Sequence, residues 1–321
     1  MKQILKLSFV GIIALFFFAS CMKDIEFKGK VVDPMIVLNS FVAPDSILKV
    51  HVSKSRFFLN ADEMPVIPDA DISVYINNRL EGKMTYISDG DYELNYTPAT
   101  GDVVRFDVNV PNMPSVWCET QLLSKVDIIA IDTVGTVLSI ENLHDGYGIE
   151  MESPVGVYYR MDYRFNIKFK DPVGVKNYYQ LSVVRKETYD IYEYFYPDFK
   201  FDDIVAKDQT QLELGESYNQ YNIFTDDLID GKEYSLTFSI AGSKYNYLPG
   251  KQPASFQPDE IHINLRAISR DYYYYLKTRE LSENSYDSFF AEPVQIHNNI
   301  HNGIGILGAF TDNSSIIELT Y

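Results

Sequence analysis

Residues able to do chemistry are sparse in this 321-residue sequence, and poorly spaced for it. No Cys-x-x-Cys pair, His-Glu-x-x-His helix, Gly-x-Ser-x-Gly elbow or complete calcium loop occurs, so the motif-bearing hydrolases and metalloenzymes have no support. His297 and His301 are four apart, which on a helix would aim two imidazoles at one zinc ion. Asn298, Asn299, Asn302 and Gly303 argue against a helix there, and with it against a metal site. Gly303, Gly305 and Gly308 spell Gly-x-Gly-x-x-Gly, but that loop cradles a dinucleotide only between a strand and a helix. Just 13 residues follow Gly308, too few for a crossover, so the glycines read as a last strand bending or passing close to another backbone. Asp89 and Asp91 flank Gly90 and read as turn formers. Acids number 45, so any two can meet in space, and a glycosidase pair has no sequence support of its own. No catalytic residue, metal ligand or cofactor is assigned.

Binding chemistry is concentrated in one place. Thr188 to Asp203 holds Tyr189, Tyr192, Tyr194, Phe195, Tyr196, Phe199 and Phe201, with five acids and a single lysine, Lys200. Exposed, such rings offer apolar faces with polar tips to a protein partner or a sugar. The competing reading is a hairpin or long loop that folds its rings over the edge of a sheet.

A covalent modification is written at the N-terminus. Lys2 and Lys6 precede Leu7 to Ala19, an apolar run of 13 residues, short of the roughly 20 that span a bilayer. Residues 1–20 therefore read as a secretory signal. Phe18-Ala19-Ser20-Cys21 resembles the bacterial lipobox, with Phe18 in place of the commoner leucine, which makes Cys21 the lipidated first residue of the mature chain. Two or more acyl chains hold a protein stably on a membrane. Residues 21–33 form the tether. Met22-Lys23-Asp24-Ile25-Glu26 resembles the signal that sends Bacteroidota lipoproteins to the cell surface, favouring that location over a periplasm-facing one. Cleavage leaves 26 basic and 45 acidic residues, a formal −19, which argues against nucleic acid and anionic lipid as partners. Cys118 is then the only remaining thiol, with no internal disulfide to make, and reads as a small buried hydrophobe.

The elements that must position these residues are strands. Aromatics make up 14% of the chain, led by 25 tyrosines, a composition that suits pleated, half-buried surfaces. Leu48, Val50 and Val52 alternate with polar residues, as do Ile72, Val74 and Ile76, and Val104, Phe106, Val108 and Val110. Asn77-Asn78 and Asp89-Gly90 supply hairpin turns. Tyr159, Met161, Tyr163, Phe165, Ile167 and Phe169 form the longest alternating run, closed by Asp171-Pro172. Further strands come at Tyr179–Val183, Tyr234–Ile240 and Ile261–Leu265. Ser269 can cap a helix over 270–283, laid on the second strand group. The prediction is an all-β chain of two tandem β-sandwich domains of immunoglobulin or prealbumin type, residues 34–125 and 126–321, with one helix packed on the second. Pro68 to Val110 looks like a carboxypeptidase-regulatory or prealbumin-like sandwich.

Four segments carry a wider resemblance: Tyr178-Tyr179-Gln180-Leu181 after Asp171-Pro172, Phe224 to Lys232, Ser269 to Leu276, and Glu292-Pro293-Val294 through Asn299 to Phe310. In order and spacing they resemble the Bacteroidota lipoproteins of the domain of unknown function 4249 family, from about residue 30 to the C-terminus. That resemblance implies an outer-membrane lipoprotein encoded beside a TonB-dependent receptor that carries a carboxypeptidase-regulatory-like domain. It supplies no catalytic residues. The reading it implies is a non-catalytic accessory or binding partner of such a receptor, anchored in the outer membrane by its lipid. The alternative is a cell-surface hydrolase acting on glycan or peptide, which a concave cleft with converging carboxylates would favour.

Overall fold

The computed structural model describes residues 33–57, 65–144, 154–189, 192–196, 199–206, 219–250, 259–286 and 294–319. The fold is an all-β sandwich architecture with a single α-helix among the described residues. Its strands are β1 (Ile36–Val42), β2 (Leu48–Lys54), β3 (Asp71–Ile76), β4 (Arg79–Lys83), β5 (Thr85–Ser88), β6 (Asp91–Leu94), β7 (Val103–Asn109) and β8 (Val116–Gln121). Next come β9 (Asp127–His144), β10 (Pro154–Lys170), β11 (Tyr178–Tyr189), β12 (Tyr192–Tyr196), β13 (Ile223–Thr225), β14 (Glu233–Tyr247) and β15 (Glu260–Ile268). Helix α1 (Arg270–Tyr286) and β16 (Ile304–Glu318) complete the chain.

Turn chemistry sets the early hairpins. Asn77 and Asn78 adopt φ of 50° and 66°, and Asp89 and Gly90 adopt 49° and 87°, the left-handed pairs that match the twist of flanking strands.

Three sheets form two layers. A long sheet runs β12-β11-β15-β16-β1-β2-β6-β5, with β13 also on β11. One half faces the four-stranded sheet β4-β3-β7-β8 across a core that includes Leu38, Val50, Val74, Phe106 and Cys118. The other half faces the three-stranded sheet β14-β10-β9 across Phe165, Phe169, Phe238, Leu181 and Ile263. Phe165 and Phe238 stack at 4.9 Å, and burying a side chain of this size contributes roughly 2–3 kcal/mol. Cys118 is fully buried, and burial pushes its thiol pKa far up, so it behaves as an apolar side chain.

The two sandwiches are joined edge to edge by the parallel β1–β16 pair. Residues 34–125 supply β1–β8 and residues 126–321 supply β9–β16, yet Ile300, Leu307 and Ala309 lie in the first core. Gly305 makes the junction possible. A Cβ there would sit 1.9 Å from the Leu38 carbonyl oxygen, at a φ of 126°.

Helix α1 begins where the capping residue predicts and runs to Tyr286. The Tyr272 amide donates to Ser269 Oγ at 3.3 Å, and the same oxygen accepts from Ala309 N at 3.1 Å, tying the cap to β16. The helix buries Tyr273 and Leu276 against Tyr178, Ile223 and Ile268. Tyr272 also meets Phe41 of β1 at 4.8 Å, so the helix touches the first strand as well as the second sandwich.

The three-stranded sheet treats its two edges differently. On β14, alternate residues point their main chain away from β10, and three successive ones in the middle of the strand have a partner. Thr237 N donates to Asp203 Oδ2 (2.8 Å), Ser239 exchanges two bonds with Lys200 (2.8 and 3.0 Å), and Arg185 Nη1 donates to the Ala241 carbonyl (2.7 Å). Asp203 is buried and also accepts from Tyr234 Oη and Val205 N.

Candidate functional site

The aromatic segment divides on folding. Its first part pairs as a hairpin, β11 with β12, in the register Arg185↔Tyr196 to Tyr189↔Tyr192. Tyr194 and Phe195 are exposed, and Tyr196 is half-buried beneath the Arg185 guanidinium, 5.2 Å from its ring centre. Phe199 and Phe201 turn inward and pack on the second core, with Phe199 edge-on to Phe238 at 5.7 Å and Phe201 to Phe224 at 5.8 Å. The side chains of Tyr189 and Tyr192 lie outside the described residues, as do Cys21 and the tether. Of the seven rings named from the sequence, two are therefore displayed, one is capped and two belong to the core.

The most concentrated polar geometry lies where the 171–178 turn meets 224–232. Asp171, Asp226 and Asp230 bring carboxylate oxygens within 4.8 Å of one another, and the first two are buried. Each carboxylate is engaged. Asp171 accepts from Tyr179 Oη and from Gly231 N (2.8 Å). Asp226 accepts from Lys176 Nζ (2.6 Å) and Asn177 N (2.7 Å), and Asp230 from Gly174 N (2.9 Å). Burial raises the pKa of Asp171 and, helped by the Asp171 carboxylate, lifts that of Tyr179 far above the ordinary phenol range. Lys176 also bonds Asp227, which lowers the pKa of that exposed acid. With this many donors from its own chain, the trio clamps two turns together.

No local pattern announced this knot, because its halves lie about 50 to 60 residues apart. The readable hint was Asp230-Gly231, where Gly231 takes a φ of 69° and frees its amide for Asp171.

The histidines go separate ways. His297 Nε2 meets Asp271 Oδ1 of α1 at 2.8 Å, while His301 stacks on Trp117 at 3.7 Å. Of the three motif glycines, Gly305 passes hard against β1, and Gly308 lies under Phe41.

Against known proteins, the family described as "Domain of unknown function (DUF4249)" matches residues 23–316. The chain belongs to this family. In this DUF4249 chain, Asp171, Tyr178-Tyr179, Phe224 to Lys232 and Ser269 to Leu276 are the contacts that lock α1 and the 171–231 knot onto the long sheet. No curated protein matches the DUF4249 chain. Among solved structures it is similar to a "Putative membrane anchored protein from Corynebacterium diphtheriae", at 9% identity and a TM-score of 0.22, over 86% of this chain. The DUF4249 chain spans 60% of that structure's length. Among the described residues, no helix is long and apolar enough to cross a membrane.

Proposed function

We propose that this DUF4249 chain is a non-catalytic lipoprotein of the Bacteroidota outer membrane, held by acyl chains on Cys21 and serving as an accessory of a TonB-dependent receptor. One observation carries the reading: the family match opens at residue 23, two positions after the lipobox-like Phe18-Ala19-Ser20-Cys21. A domain that starts this close to an acylated cysteine is tied to the bilayer by a short tether, residues 21–33, within reach of a membrane-embedded partner. Lys23, Asp24 and Glu26 favour the cell surface over the periplasmic face. The formal −19 of the mature chain keeps such a tethered domain off the anionic lipid beside it.

A Cys21→Ser variant separates anchor from domain, because it leaves residues 23–316 untouched. It is expected in the soluble fraction, and sedimentation with membranes at the wild-type level would defeat the lipid assignment. For the receptor, the lipidated protein is recovered from outer membranes of two strains, one lacking the neighbouring receptor gene. Specific partners that persist without that receptor would remove the accessory role.

A further inference from the structure

We infer that the free edge of β9 is a docking site for an extended strand of a partner protein, apolar on one face and basic on the other. This goes beyond the proposed function and needs neither the lipid nor the receptor to be correct. β9 is 18 residues long, roughly 60 Å at the usual rise, where most strands have five or six residues. Among the described residues it pairs only with β10. Thr311 Oγ1 donates to the Leu123 carbonyl and Asn313 Nδ2 to the Val126 carbonyl, but both lie ahead of the strand. From Asp127 to His144, no described residue outside β10 hydrogen-bonds to the β9 main chain. Its sequence holds no lysine, arginine or proline, and its protection against indiscriminate pairing is two bulges, at Ile129 and Leu138, and three acids.

The side chains specify the occupant. On the face that continues the core, β9 places Val137 opposite Met161 and Ile140 opposite Tyr159, and these two are 48% and 64% exposed. Tyr163 and Met161 of β10 pack over Gly135, each 3.1 Å from where a Cβ would sit. A fourth strand with apolar residues on this side would cover them. The outer face is mainly basic on β10, where Asp162 is the one acid among four bases, and acidic on β9. Glu233 of β14 pairs with Lys168 at 2.8 Å, β10 presents Arg160, Arg164, Lys168 and Lys170, and β9 presents Asp127, Asp132 and Glu141. The three acids are exposed, and none forms an ion pair with a described residue. A strand laid beside these three acids is complementary if it is basic on that side. A second copy of this chain is a poor occupant, because its own β9 would bring three more acids and no base.

The test uses the whole mature chain with Cys21→Ser, and a fluorescent ten-residue peptide that alternates valine with lysine. The peptide is expected to bind and to slow exchange at least about tenfold at the amides of 127–144 that point away from β10. Val134→Lys and Val137→Lys, made separately at exposed positions, should each weaken binding about tenfold or more while melting as the parent does. Three results would overturn the inference. The first is slow exchange in the free chain at the alternate β9 amides that point away from β10, which means that the edge is already covered. The second is equal binding of a valine–glutamate peptide, or binding unaffected by both substitutions. The third is sedimentation as a dimer that either substitution dissociates, which would make a second copy the occupant.

Discussion

Both edges of one three-stranded sheet face the problem of unpaired main-chain groups, and among the described residues one is closed at three successive positions and the other at none. Along β14, an aspartate, a two-way backbone bridge and an arginine meet three successive outward-facing residues. Along β9, a longer strand with exposed Val134, Val137, Leu138 and Ile140 has no such cover among the described residues. Edge closure is therefore a property of particular side chains and not of the fold. The same sheet that invests a buried carboxylate in shutting one side leaves the other in the state of a template.

Four measurements test that contrast. Asp203→Ala carries the largest expected effect, about 3 kcal/mol by urea denaturation, because it strands Thr237 N and Tyr234 Oη in a buried setting. A loss under about 1 kcal/mol would mean that water closes that edge equally well. Tyr234→Phe should cost about 1 kcal/mol at neutral pH. Burial, and then the Asp203 carboxylate, raise the pKa of this phenol, so its contribution is present below the ordinary tyrosine value of 10 and fades as pH climbs through the raised one. Stability of the two proteins should thus differ by a constant amount from neutrality to about pH 10 and converge only in stronger alkali. Arg185→Met uncovers the Ala241 carbonyl and should cost a little less, about 0.5–1 kcal/mol, with faster exchange along β14. Val134→Lys on β9 should leave stability within about 0.5 kcal/mol, since nothing there is closed to begin with. A large loss at Val134 would show that the open edge is packed after all.

The strands of both cores were legible because their alternation is unbroken, from Leu48–Val52 to Tyr159–Phe169. The helix was legible because Ser269 caps it and the apolar period changes there. β9 went unread, and its register shows why. Between Arg160 and Met161, and again between Lys168 and Phe169, the pairing skips a β9 residue, Leu138 and Ile129 respectively. Each bulge reverses the face taken by the residues beyond it, so no period of two survives along the strand. The long strands also ran past their predicted ends: β14 reaches Tyr247, where alternation suggested Ile240, because its far half is not buried in a core and need not alternate strictly. The aromatic run from Tyr189 to Phe201 was visible as composition, but composition cannot tell Phe199, a core residue, from Phe195, which is displayed. The Asp171–Asp226–Asp230 knot was out of reach, because its partners are brought together only by the pairing of β11 with β13.

The parallel bond between β1 and β16 also sets a timetable. Val37 finds Ile304 roughly 270 residues along the chain, and closing a loop of that length costs about 5 kcal/mol of chain entropy before any contact rewards it. The first core waits for Ile300, Leu307 and Ala309, so a ribosome or a translocation pore that still holds the last residues also holds the N-terminal half incomplete. A chain built this way stays loose until it is released and then closes from its two ends at once. Deleting β16 should consequently unfold β1 and β2 as surely as it unfolds β15.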